Sequence, residues 1–189
     1  QSGNIGFIRR NLGAVNNVTI YGNITLSANN SDLWSNVGGI VGVNDCIPAA
    51  SEEDTENKGG VNFSCFIGEI SVPRPYSIVG GIVGVNYGQI WGCITGDSNQ
   101  KTTITGYGDI GGISGKNTNF IYTCVVTNLD IKSKSTRQGG TIGGVVGHCT
   151  KGEMQLIRVN NTKIESIGYL GIGVMPKMGI VVGYLIEGV

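Results

Sequence analysis

Charge is scarce in this chain: Asp, Glu, Lys and Arg make up 14% of its 189 residues, where a soluble domain usually carries about 25%. Acids and bases number 13 each and the net charge is zero, so no excess of either sign draws the chain to nucleic acid or to an anionic membrane. Proline occurs four times, too rarely for a proline-rich linker, and the glycines follow no G-X-Y triplet, which excludes collagen. No apolar run reaches the roughly 18 residues that a membrane-spanning helix needs. Histidine occurs once, as His148, so the H-E-x-x-H zinc signature is absent. No segment sustains a 3.6-residue apolar period, and glycine is poor in helix interiors, which excludes an all-α fold.

What is abundant is glycine, 33 of 189 residues, against a usual share of about 7%. Hydrophobic residues reach 40%, which argues against disorder. The glycines fall in a repeat. Val37-Gly38-Gly39-Ile40-Val41-Gly42-Val43-Asn44 is matched by Val79-Gly80-Gly81-Ile82-Val83-Gly84-Val85-Asn86. Two further copies are Ile110-Gly111-Gly112-Ile113-Ser114-Gly115-Lys116-Asn117 and Ile142-Gly143-Gly144-Val145-Val146-Gly147-His148-Cys149. Weaker copies, 6–11 and 178–183, flank the series. Equivalent positions 6, 39, 81, 112, 144 and 180 are separated by 33, 42, 31, 32 and 36 residues.

After each glycine block comes a turn, an apolar residue, and Cys or Val three positions later: Val15/Val18, Ile90/Cys93, Ile121/Cys124 and Leu156/Val159, with Cys65 in the second unit. Further apolar pairs follow, Ile70/Val72 and Leu129/Ile131. Each unit therefore reads as three short strands with period-two alternation. The long step of 42 residues requires an insertion, placed at the polar, acidic stretch 45–58 and read as a surface loop. No linker interrupts the array, so residues 1–189 are read as one domain.

A unit of this size cannot bury its apolar face alone, and stacking units in register brings each strand about 4.8 Å from its counterpart. The expected fold is all-β: a right-handed parallel β-helix, or β-solenoid, of about six coils with three short strands per coil. Stacked at that spacing, six coils form a rod of roughly 29 Å. The glycines Gly38, Gly39, Gly42, Gly80, Gly81, Gly84, Gly111, Gly112, Gly115, Gly143, Gly144 and Gly147 then mark corners of unusual φ or approaches too close for a Cβ. Asn11, Asn44, Asn86 and Asn117 form a ladder of stacked amides at a turn, ending where Cys149 replaces the amide.

The Gly-Gly-Ile-Val-Gly block at 38–42 and 80–84, with its cousins at 111–115 and 143–147, resembles the GLUG repeat. That repeat is known from bacterial surface proteins, including adhesin-like proteins and regions of IgA-cleaving metallopeptidases. The resemblance covers nearly the whole chain and implies a β-helical stalk or passenger segment on a bacterial surface. It implies no catalytic residue, because the motif is structural.

Among residues able to do chemistry, Cys65, Cys93 and Cys124 share a repeat column with Val18 and Val159, which suits a buried thiol stack better than a metal site. Five cysteines leave at least one unpaired within the chain, and the candidate bridge is Cys46 to Cys65, closing the acidic loop. His148 occupies a column of mixed polarity and reads as a solvated or turn residue. The acids are scattered; Asp97 and Asp109 are the two that could converge, as a sugar-processing enzyme would require. The run Glu52 to Glu56 is a possible weak calcium site, though such runs are usually just solvated. Trp91 and Tyr122 each follow an apolar column residue, so they should point outward and stack on one another, available to a ligand.

No cofactor is expected. The chain starts at Gln1-Ser2-Gly3 and reads as a mature or trimmed fragment of a larger protein whose flanking domains would cap the stack. The expected function is a structural or adhesive segment of a secreted or cell-surface bacterial protein, binding a host or matrix protein or a glycan, and not an enzyme. Two readings compete with it: a carbohydrate-active β-helix enzyme or sugar-binding module, and an accessory segment of a surface peptidase.

Overall fold

A computed structural model of the chain describes residues 3–27, 34–45, 60–134, 140–166 and 177–186. Of the expected loop 45–58 only Asp45 falls among them, and the acidic run and Cys46 lie outside. The described residues form strands and turns, with no helix. Valine and isoleucine, stiff at χ1 and suited to a pleated surface, supply the strand interiors.

Strands assemble into four parallel sheets. The first contains Gly3–Ile5, Ser35–Gly38, Ser77–Gly80, Asp109–Gly111, Thr141–Gly143 and Lys177–Gly179, in that spatial order. The second contains Ile8–Asn11, Val41–Asn44, Val83–Asn86, Ser114–Asn117, Val146–Cys149 and Val182–Leu185. Ala14–Asn16, Gly60–Asn62, Gln89–Trp91, Ile121–Tyr122 and Met154–Gln155 make the third. The fourth runs from Thr19–Thr25 through Cys65–Ser71, the split pair Ile94–Thr95 and Thr102–Gly106, and Val125–Ser133 to Arg158–Ser166. The chain visits first, second, third and fourth sheet in turn and then begins again. Each strand therefore pairs with the equivalent strand one repeat away, as Val37 with Val79 and Ile110 with Ile142.

The first five repeats thus each place a strand in all four sheets where the sequence pattern predicts three strands per repeat, and the sixth contributes two strands among the described residues. The additional strand is the one ahead of the paired glycines, for example Ser35–Gly38 before Val41–Asn44. A single apolar residue before Gly-Gly gives little alternation to read, and the bend at Gly39-Ile40 divides what looks like one motif into two strands.

The core is a set of columns. Ile40, Ile82, Ile113 and Val145, each fully buried at the bend after the glycine pair, stack on one another's equivalents. Val61, Ile90 and Ile121 of the third sheet and Phe66, Ile70, Ile104, Leu129 and Ile131 of the fourth close the interior. Each buried side chain of this size contributes about 1.5–3 kcal/mol of transfer free energy.

Close approach, not unusual φ, accounts for the glycine columns: none of the paired glycines has positive φ. A Cβ on Gly38, Gly80, Gly111 or Gly143 would strike the carbonyl of the residue three positions on, Val41, Val83, Ser114 or Val146. One on Gly39, Gly81 or Gly112 would strike the carbonyl of the next repeat's equivalent glycine. The third glycine lets the second sheet lie against the first: a Cβ on Gly84 would sit 2.8 Å from the Val37 nitrogen, and one on Gly115 2.6 Å from that of Val79.

The corner between third and fourth sheets has a different device. Asn17, Phe63, Gly92, Thr123 and Leu156 occupy equivalent places there, with φ of 55°, 48°, 64°, 54° and 54°. One left-handed residue per repeat turns the chain there, and only at Asn17 and Gly92 is the residue type suited to it.

Candidate functional site

Two side-chain ladders run across the sheets. At the end of the second-sheet strands, Asn11 Nδ2 donates to Asn44 Oδ1 at 2.8 Å, Asn44 to Asn86 at 2.8 Å and Asn86 to Asn117 at 2.7 Å. Asn117 Nδ2 then reaches the Cys149 sulfur at 3.8 Å, where the row of amides stops. The same amides donate to nearby turn carbonyls, such as Gly13, Gly88 and Asn119. These asparagines are buried, and their hydrogen bonds are satisfied. Their place is structural: they hold the turn into the third sheet.

That turn positions the second ladder. Strands of the third sheet are two or three residues long, with one side chain inward and the next outward. Val61, Ile90 and Ile121 point into the core, so Asn62, Trp91 and Tyr122, which pair in register, face outward. The Trp91 and Tyr122 ring centroids lie 6.3 Å apart at 79°, nearly edge to face, and Phe63 lies 5.9 Å from Trp91 at 39°. Trp91 remains 48% exposed and Phe63 58%. Gln89, Ile90, Trp91, Phe120 and Tyr122 line a surface notch of about 340 Å³. Outward-facing amides continue the row on both sides, Asn16 bonded to Asn62 at 2.9 Å and Gln155 beyond Tyr122.

The expected acids are not gathered at this face. Asp109 opens a first-sheet strand; its carboxylate accepts from the Thr141 hydroxyl at 2.7 Å and the Thr141 amide at 3.2 Å, and lies 3.5 Å from His148 Nδ1. Asp97 lies in the connection between Ile94–Thr95 and Thr102–Gly106 and accepts from Ser98 at 3.2 Å. The two share no partner. His148 is in a strand, its side chain 22% exposed and its ring centroid 5.1 Å from that of Tyr184. Lys177 Nζ lies 3.4 Å from the Tyr184 ring centre on a neighbouring strand. A contact with Asp109 and an aromatic neighbour, not free solvent, thus surround the histidine.

The cysteine column also differs from its sequence reading. Cys65 pairs with Ile94 and Thr19, one place further along than Cys93, so Ser64 is the residue equivalent to Cys93 and Cys124. In the last copy Met154 pairs with Ile121 and Arg158 with Val125, which puts Ile157 opposite Cys124 and leaves Leu156 at the corner, 70% exposed. A slip of one residue moves a side chain to the other face of a strand. Cys93 and Cys124 are fully buried, while Cys65 is partly exposed. Cys65 is a free thiol, as are Cys93, Cys124 and Cys149; Cys46, the other half of the expected bridge, lies outside the described residues. The hydrogen bond with Cys124, and then burial, push the Cys93 thiol far above its ordinary range. Burial raises Cys65 and Cys149 as well.

Among the described residues no cluster of three or more His, Cys, Asp or Glu is placed to hold a metal ion. Among them, too, no helix is long and apolar enough to cross a membrane. Comparison with family models, with curated proteins and with solved structures finds no match.

Proposed function

We propose that this chain is a single-domain segment of right-handed parallel β-helix, about six circuits long, with a structural and adhesive role in a secreted or cell-surface bacterial protein. The cyclic visiting order of the four parallel sheets supports the architecture, and right-handed crossovers are the rule for parallel strands. The likeness of the Gly-Gly-Ile-Val-Gly blocks to the GLUG repeat belongs to the same reading. Function here is passive: a stiff stack presents its outward columns to a partner, and flanking parts of the same protein complete its ends.

The observation that carries the adhesive part is the pair Trp91 and Tyr122 on successive strands, with Phe63 beside Trp91 from the adjoining corner, three large rings held exposed by a well-packed core. Aromatic residues left on a surface in a contiguous patch mark interaction sites. The test is saturable binding of the full chain to parallel panels of immobilised extracellular-matrix proteins and glycans. Binding to at least one class, weakened by Trp91→Ala, is the expected result. Silence on both panels would overturn the reading.

A further inference from the structure

The face that carries Trp91 and Tyr122 is also empty of charge. Segments 60–68, 86–96 and 117–129, which build the middle of the third sheet and its two flanking corners, contain no Asp, Glu, Lys, Arg or His. The groups that project there are aromatic rings, amides, hydroxyls, aliphatic side chains and the Cys65 thiol. An ionic ligand finds no counter-charge on it. Salt bridges among the described residues lie elsewhere, as in Arg10 with Asp45 and Lys101 with Asp130.

The shape is concave and small. Trp91 and Tyr122 meet at 79° and so form floor and wall of a notch instead of one flat platform. Phe120 and the Gln89 side chain complete the lining, and the volume is about 340 Å³. That size falls at the lower end of small-molecule sites, roughly 300–1,000 Å³. Rings that offer an apolar face, beside amides that both donate and accept, match a pyranose, which has an apolar C–H face and a rim of hydroxyls. The strand spacing of about 4.8 Å sets the pitch of the outward row, so a chain of sugars lying along the stack meets successive side chains Asn62, Trp91 and Tyr122 before the row reaches Gln155, whose amide is bonded to Glu153 at the charged margin of the face.

We infer that the notch formed by Trp91 and Tyr122 is a binding site for a neutral glycan, with one sugar ring lying in the corner that the two aromatic side chains make and its neighbours along the amide row. This rests on the adhesive reading and gives it a ligand class. Trp91 and Tyr122 supply the apolar contacts, and Gln89 and Asn62 supply hydrogen bonds to ring hydroxyls.

The full chain carrying Trp34→Phe keeps Trp91 as its one tryptophan fluorophore, since tryptophan occurs twice. Titration of this protein with linear glucose and N-acetylglucosamine hexamers is expected to give a saturable change in Trp91 emission that is unaffected by salt between roughly 0.05 and 0.5 M. In calorimetry on the parent, Trp91→Ala and Tyr122→Ala each weaken binding about tenfold or more, while Asp97→Asn and Asp109→Asn leave it unchanged. Trp91 and Tyr122 are exposed, and an unaltered circular dichroism spectrum certifies the fold of each variant. Binding confined to uronate- or sulfate-bearing oligosaccharides, salt-sensitive binding, or equal affinity in Trp91→Ala would overturn the inference. Capture by a matrix protein with no response to any neutral oligosaccharide would overturn the glycan site and leave the adhesive reading standing. Failure on every arm would sink both.

Discussion

Asn44 donates its side-chain amide to Asn86 at 2.8 Å, and neither residue is exposed to solvent at all. Asn86 sits in the middle of the ladder, accepting from Asn44 and donating to Asn117. Replacing it with alanine strands a buried donor on one side and a buried acceptor on the other. Asn86→Ala is expected to cost about 2–4 kcal/mol, read as a lowered midpoint in urea. Asn11→Ala, at the end of the row, should cost about half as much, since one ladder bond is lost instead of two.

Glycine columns that exist for close approach should not tolerate even one methyl. Gly112→Ala would drive a Cβ into the Gly144 carbonyl of the next repeat, and a loss of at least about 3 kcal/mol is expected. Gly22, by contrast, has nothing within 4 Å of the place a Cβ would take. Gly22→Ala should leave stability within about 0.5 kcal/mol of the parent. Urea unfolding of the pair separates these outcomes.

Thr123 is a β-branched residue held at a φ of 54°. Asparagine tolerates that conformation much better, so Thr123→Asn is expected to raise stability by about 0.5–1 kcal/mol. Gly92 occupies the equivalent corner at φ 64°, and a Cβ there would lie 2.7 Å from the Phe63 ring. Gly92→Ala should therefore destabilise by about 1 kcal/mol or more. Thermal melts of both variants check the opposite signs.

Stability should decline in alkali through the thiols. The thiols of Cys65 and Cys149, raised by burial, stay protonated in the native protein above their ordinary value of 9.0, so the native state holds protons that the unfolded chain has released. Their contribution is complete below about pH 9 and fades as pH rises toward the native values. The denaturation midpoint is expected to fall between about pH 8 and 10.5, and less steeply in Cys65→Ala/Cys149→Ala. An identical slope in the parent and double variant would count against this.

The parts of this structure that sequence makes visible are those where one residue type recurs for one physical reason. Gly112 and its equivalents recur because only a hydrogen fits against the next carbonyl. Asn44 and Asn86 recur because an amide can be donor to one neighbour and acceptor from another. Trp91 and Tyr122 can be placed because each directly follows a buried isoleucine. The left-handed corner is hidden, since Phe63, Thr123 and Leu156 have no chemistry in common and only Asn17 and Gly92 hint at it. Cys65 misleads because a thiol suits a core column in composition, while register puts Ser64 there. Asp97 and Asp109 share a repeat in sequence but face different partners, as nearness along the chain does not fix the sheet a side chain leaves from.

Pairing each strand only with its counterpart one repeat away has a mechanical corollary. Val79 is held by Val37 on one side and Ile110 on the other, 42 and 31 residues distant. Among the described residues no longer-range strand pairing ties the layers, so tension applied at the two ends should peel the stack from an end, one layer after another. A layer of 31 or 32 residues, as between Val79, Ile110 and Ile142, releases about 100 Å of chain when drawn straight. A tether built this way lengthens in near-equal increments under load, with the aromatic notch in its central layers among the last parts to give way.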